Sequence, residues 1–115
     1  MKRLALSALV LLALCVPSFA GTGGDQENQT SVNAYDTDNY DAVFFGGEMA
    51  VITVVGDGDT DLDLFVYDDN GNLVISDTGS SDAAGVSFVP SFTRRYSVQV
   101  KNLGSVYNVY TIRTN

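Results

Sequence analysis

The chain contains no histidine, no tryptophan and a single cysteine among 115 residues. That cysteine, Cys15, lies in the N-terminal apolar stretch, so the rest of the chain has no thiol. Disulfides, thiolate or imidazole metal sites, and Ser-His or Cys-His nucleophile pairs are therefore excluded from it. Basic residues are scarce as well, six Lys and Arg against 14 Asp and Glu. A nucleic-acid binder needs a basic footprint for the phosphates, and this composition supplies none. Anionic membrane surfaces are disfavoured for the same reason. No window sustains an apolar period of 3.6, which argues against amphipathic helices. Neither a GxSxG elbow nor a phosphate-binding loop occurs.

What is present begins with a leader. Lys2-Arg3 is a basic start, and Leu4 to Val16 is an uncharged run. Pro17 follows, then Ser18-Phe19-Ala20, with small residues at both key positions of a cleavage site. Residues 1–20 thus read as an export signal cut after Ala20. The run falls short of the ~20 apolar residues that a membrane span needs. The protein is expected to be secreted or periplasmic, with no membrane insertion after signal removal. Losing Lys2 and Arg3 leaves Arg94, Arg95, Lys101 and Arg113 against 14 acids, a net charge of −10. Such charge repels itself unless cations offset it, and outside the cell calcium is the usual hard cation for carboxylates.

Residues 21–35 show no apolar periodicity and read as a flexible lead-in, leaving 36–115 as one domain. Short apolar segments then recur about every ten residues. They are Ala42–Phe45, Glu48–Val55, Leu62–Tyr67, Leu73–Ile75, Val86–Val89, Tyr96–Val100 and Val106–Arg113. Glu48–Val55 is β-branched on both faces and reads as a central strand. Leu62, Leu64 and Val66 alternate with Asp61, Asp63, Phe65 and Tyr67, the period of a strand with one face toward a core. Asp69-Asn70-Gly71 is a hairpin turn, because Asn and Gly tolerate positive φ. Seven or so short strands joined by Gly, Asn and Asp turns make an all-β antiparallel sandwich or barrel.

The acids of Gly56-Asp57-Gly58-Asp59-Thr60-Asp61-Leu62-Asp63 fall on every second residue. On a strand, i and i+2 share a face, so like charges crowd unless a cation or donor lies between them. This makes Asp57, Asp59, Asp61 and Asp63 candidate ligands for calcium, with Asp59 and Asp61 at the loop–strand junction foremost and Asp36, Asp38 or Asp41 as possible contributors from elsewhere. An EF-hand is ruled out, since the sixth loop position counted from Asp57 is Leu62 rather than Gly. The competing reading is a solubilising acidic loop whose Asp side chains bind nearby amides.

These stretches carry a family resemblance. Tyr40 with its following apolar strand, Gly46-Gly47-Glu48, the run from Gly56 to Asp68, and Asn70-Gly71-Asn72 resemble the bacterial pre-peptidase C-terminal (PPC) domain. Pro90, Tyr96-Ser97-Val98-Gln99-Val100-Lys101-Asn102 and Val106 to Ile112 extend the likeness over about 36–115. The resemblance implies a jelly-roll-like β-sandwich of seven to eight strands, non-catalytic and related to the collagen-binding domains of collagenases. It implies calcium binding near the N-terminal lead-in and a D-x-x-D-Y type segment, which brings Asp36 and Asp38 into the ligand set. Arg94-Arg95 stands where the family often has a Gly turn, and the domain is expected to be free-standing.

Three functions follow as expectations. The first is a non-catalytic exported module, calcium-stabilised, that engages an extracellular polymer or another exported protein. Phe65 and Tyr67, opposite the core face of their strand, are its expected binding surface. The second is a homodimeric aspartic protease of retropepsin type, because Asp77-Thr78-Gly79-Ser80 matches the DTGS motif in which two carboxylates share a proton. The third is a structural subunit with no ligand.

Overall fold

The computed structural model describes residues 25–58 and 60–115, together with the backbone of a short strand at Ser18–Phe19. Eight strands follow that segment: β1 (Gln26–Val32), β2 (Thr37–Phe44), β3 (Ala50–Val55), β4 (Leu62–Asp68), β5 (Leu73–Asp77), β6 (Ala83–Phe88), β7 (Arg94–Asn102) and β8 (Asn108–Thr114). They form two antiparallel sheets of order β1-β8-β3-β6 and β2-β7-β4-β5. Ser18–Phe19 lies parallel to β2, opposite Asp41 and Ala42.

This strand order is a jelly roll, and its logic is that of a folded ribbon. The β4–β5 hairpin is the ribbon's apex, and β3 pairs β6, β2 pairs β7 and β1 pairs β8 in nested order around it. Rolling the ribbon adds the β8–β3 and β7–β4 pairings that knit each sheet together. The apex turn is built by Asp68. Its Oδ1 accepts the amides of Asn70 and Asn72, each at 2.9 Å, and its own amide donates to the Asn72 carbonyl. Gly71 sits at φ 84°, a conformation that a Cβ would strain. The Asn72 amide, first among these contacts, holds the Asp68 carboxyl below its usual range.

Alternation decides which residues go inside. On β4, Leu62, Leu64 and Val66 are fully buried, and Val98 and Val100 on β7 lie beside them. Ile52 and Val54 of central β3, with Tyr110 and Ile112 of β8, form the facing layer. One end of the core is closed by rings. Phe88 meets Phe44 edge-on at 5.8 Å and Tyr96 at 5.2 Å, geometries favoured by the ring quadrupole.

The expected flexible lead-in needs correcting. Gln26–Val32 is strand β1, paired residue for residue with β8 from Thr114 back to Asn108. Only Val32 of this strand is a buried apolar residue, which is why no hydrophobic period announces it. Its inward positions lie over polar groups instead. Asn28 hydrogen-bonds Tyr40, and Tyr110 donates to Asp38 Oδ2 at 2.6 Å. Because the Tyr110 proton is committed there, the 2.5 Å contact between the two phenols has Tyr40 donating to Tyr110. Burial raises both phenol pKa values, so this network is neutral at its tyrosines. Residues 1–17 and 20, most of the expected export signal, lie outside the described residues.

β1 therefore covers the edge of β8 and caps a buried polar chain. A protein starting at Asn33 should lose more than about 10 °C of melting temperature relative to one starting at Asp25, equivalent to roughly 2 kcal/mol in a domain of this size. Removal of a merely flexible lead-in would leave the melting temperature unchanged in a circular-dichroism melt.

Candidate functional site

Of the six acids grouped as metal candidates, the fold sends Asp36, Asp38 and Asp57 to separate places and keeps Asp61 and Asp63 together. Asp36 caps its own turn, Oδ1 accepting the Thr37 amide at 2.8 Å. Asp38 faces the interior end of β2 and serves Tyr110. Asp57 Oδ2 accepts the Val109 amide at 3.1 Å, anchoring the β3–β4 loop to the start of β8. That loop is held further by buried Asn108, whose Oδ1 accepts from the Asp57 amide and whose Nδ2 donates to Thr60 Oγ1 at 2.7 Å. A Cβ on Gly56 would stand 2.6 Å from Asn108 Oδ1, so the close packing requires glycine there. Asp59 lies outside the described residues.

Asp61 and Asp63 are different. Asp61 directly precedes β4 and its carboxyl meets that of Asp63 on the strand's outer side, yet Asp63 is buried, 6 % exposed. Oδ1 of each is buried with no hydrogen-bond partner. Desolvation, then the adjoining Asp61 charge and a contact through which the two carboxyls could share a proton, raise the Asp63 pKa. Asp77 adds to the rise, and Lys101, the cross-strand neighbour of Asp63, opposes it. Among the described residues no three acidic side chains converge on one point.

Phe65 and Tyr67 continue the same outer face. Their rings stack at 6.4 Å with 21° between planes, half-buried. Directly paired residues share a face, so Gln99 and Ser97 of β7 lie beside them, with Asn39 and Asp41 of β2 one row further.

Asp77 has an architectural task. Its Oδ2 accepts the Gly85 amide at 2.9 Å and its Oδ1 the Gly79 amide at 3.1 Å. These two bonds, Gly85 first, lower its pKa. Both carboxylate oxygens are thus engaged by backbone amides, one of its own turn and one of β6.

A feature invisible to sequence reasoning lies at the end of the sandwich formed by the β1–β2 and β7–β8 loops. Asn102 is fully buried, and Nδ2 donates to the carbonyls of Val106 at 2.8 Å and Asn33 at 3.2 Å, while Oδ1 accepts the Gly104 amide. The Asn102 amide donates to the Asp36 carbonyl, and the Tyr35 amide to that of Gly104. One asparagine thus clamps both loops. They carry exposed Tyr35, Leu103, Val106 and Tyr107, and Tyr35 stands at φ 59°. The sequence signals only a turn here, since Asn and Gly next to a strand end fit any surface loop.

Asp77 yields a prediction with a definite sign. A carboxylate whose folded pKa is depressed contributes stability above its unfolded pKa near ~4, lost as pH falls through the folded value. Asp77→Asn should therefore melt lower at pH 7, by at most roughly 1 kcal/mol for a partly exposed bond. Between about pH 4 and pH 2 the gap should close, as followed by urea denaturation. A constant gap across that range would refute this assignment.

No family model matches the chain, and no curated protein matches it in sequence. Similarity appears among solved structures. The pre-peptidase C-terminal domain of a collagenase from Bacillus anthracis superposes with a TM-score of 0.69 at 12% identity, covering 86% of this chain and 91% of that one. PliG of Aeromonas hydrophila, a periplasmic lysozyme inhibitor of g-type lysozyme, gives 0.62 at 15% identity, covering 87% and 96%. At such identities the likeness establishes architecture: this chain is a β-sandwich with a PPC-like fold.

Proposed function

We propose that this is a non-catalytic exported module that holds a partner at the loop tip formed by Tyr35, Leu103, Val106 and Tyr107. The observation that carries the reading is Tyr35. Its backbone is left-handed and its ring is 70% exposed. A non-glycine residue in that region costs of the order of 1–3 kcal/mol and persists only where its surroundings impose it. Here the Tyr35 amide bond to the Gly104 carbonyl and the Asn102 clamp impose it, so the backbone that carries the Tyr35 ring is ordered before any partner binds. A projecting, irregular tip suits a cleft in a partner protein. The acidic chain favours a basic partner through long-range steering. Export is supported by the leader-like residues 1–20, and non-catalysis by the absence of His, by the engaged oxygens of Asp77, and by PPC-like architecture.

A second reading has its own observation. The near-parallel Phe65 and Tyr67 rings, edged by Gln99, Ser97 and Asn39, would suit the flat faces of an extended extracellular polymer.

The two readings separate by variant. Immobilised protein would be presented with exported proteins, with insoluble polysaccharide, and with purified g-type lysozyme, the last chosen from what the Aeromonas neighbour inhibits. Tyr35→Asn with Tyr107→Ala should reduce retention of a protein partner at least tenfold, because asparagine keeps the left-handed turn while removing the ring. Melting temperature should move by less than about 3 °C. Phe65→Ala with Tyr67→Ala should leave protein retention intact. Loss only in the second pair, with polysaccharide as the retained material, would transfer the function to the sheet face. Equal retention by the wild type and both variants would reject both surfaces.

A further inference from the structure

We infer that Asp61 and Asp63 form the anchor of a site for a hard divalent cation on the outer face of β4, beside β5 and β7. Three observations converge. Asp61 directly precedes β4 and Asp63 is its second residue, and the two carboxyls are in contact with one another. Each has a buried Oδ1 without a hydrogen-bond partner, and Asp63 is more than nine-tenths buried. Its cross-strand neighbour is Lys101, yet the ammonium does not supply that oxygen with a hydrogen bond. A buried carboxylate oxygen without a donor is costly, and two side by side cost more. A cation between them removes both penalties at once.

The chemistry of the pair selects the ion. Both donors are carboxylate oxygens, and the chain beyond Cys15 offers neither thiolate nor imidazole, so soft and borderline metals gain no preferred ligand. Calcium and magnesium take such donors and complete their shells with water and backbone carbonyls. Among the described residues the remaining candidate acids are committed elsewhere, Asp36 to the Thr37 amide, Asp38 to Tyr110 and Asp57 to the Val109 amide. The site is therefore distinct from the lead-in region where the family resemblance places calcium. It is also independent of the partner proposed above, since it lies on the sheet face and its effect is on stability.

Thermal melts at fixed ionic strength test it, with calcium chloride and magnesium chloride titrated against a chelated sample. Wild type should gain at least about 4 °C, saturating in the millimolar range, which corresponds to roughly 1 kcal/mol of linkage. Asp63→Asn and Asp61→Asn should each lose most of that gain. In chelator, Asp63→Asn should melt above wild type, because an amide can donate to Asp61 where a carboxylate cannot. Asp36→Asn should keep the full gain. Manganese titration followed by NMR locates the ion even if a variant fails to fold, and the amides of Asp61 to Leu64 and of Lys101 should broaden first. No gain in wild type up to about 10 mM of either ion, an equal gain in the Asp61→Asn/Asp63→Asn double variant, or broadening centred elsewhere would overturn the site.

Discussion

Burial of one side of β4 constrains most of what this protein does. Leu62, Leu64 and Val66 have no solvent exposure, and each removes on the order of 2 kcal/mol of apolar surface from water. Because strand side chains alternate, that burial forces Asp61, Asp63, Phe65 and Tyr67 to the other side. A slip of one residue would drive Asp63 into the apolar layer and expose all three aliphatic residues. The strand's inward face thus fixes register, and its outward face inherits an acid pair followed by an aromatic pair. The turn that follows, tied by Asp68 to two amides, makes the same strand the first half of the apex around which the ribbon folds.

The ends of the sandwich depend on buried amides rather than on apolar contacts. Asn102 and Asn108, both fully buried, each bridge backbone or side-chain groups of a second loop. A domain without disulfides has few other ways to hold loops, and an asparagine with donor and acceptor both satisfied does it at low strain. Rigidity gained this way is what lets Tyr35 remain in a left-handed conformation with its ring in solvent. The buried Tyr40–Tyr110–Asp38 chain plays the corresponding role under β1, a polar strand with one buried apolar residue whose Asn28 hydrogen-bonds Tyr40.

The aspartates show how one residue type takes different roles by environment. Asp68 and Asp77 accept backbone amides and are held ionised to low pH. Asp57 and Asp36 also meet amides, joining loop to strand and closing a turn. Asp63 meets another carboxylate in a buried setting and is pushed the other way. Composition counts all of them as negative charge, and only the surrounding donors separate the structural acceptors from Asp61 and Asp63, whose Oδ1 atoms meet none.

Sequence by itself determined the all-β class, the antiparallel pairing, the central place of β3, the apex hairpin and the two sides of β4. These are consequences of local rules, the period-2 alternation of Leu62 to Tyr67 and the positive φ tolerated at Gly71, and they need no knowledge of distant residues. The resemblance to PPC domains added the jelly-roll wrapping. Tertiary structure alone decided that Gln26–Val32 is a strand, because its ladder partner is distant β8 and the inward contact of Asn28 is with the Tyr40 hydroxyl of β2. It alone placed Asn102 in the interior, turned DTGS into a backbone cap, and gave Asp36, Asp38 and Asp57 separate tasks while keeping Asp61 and Asp63 together. Each of those outcomes depends on which donors lie within about 3 Å of an oxygen, and that distance is set by strands far apart in the chain.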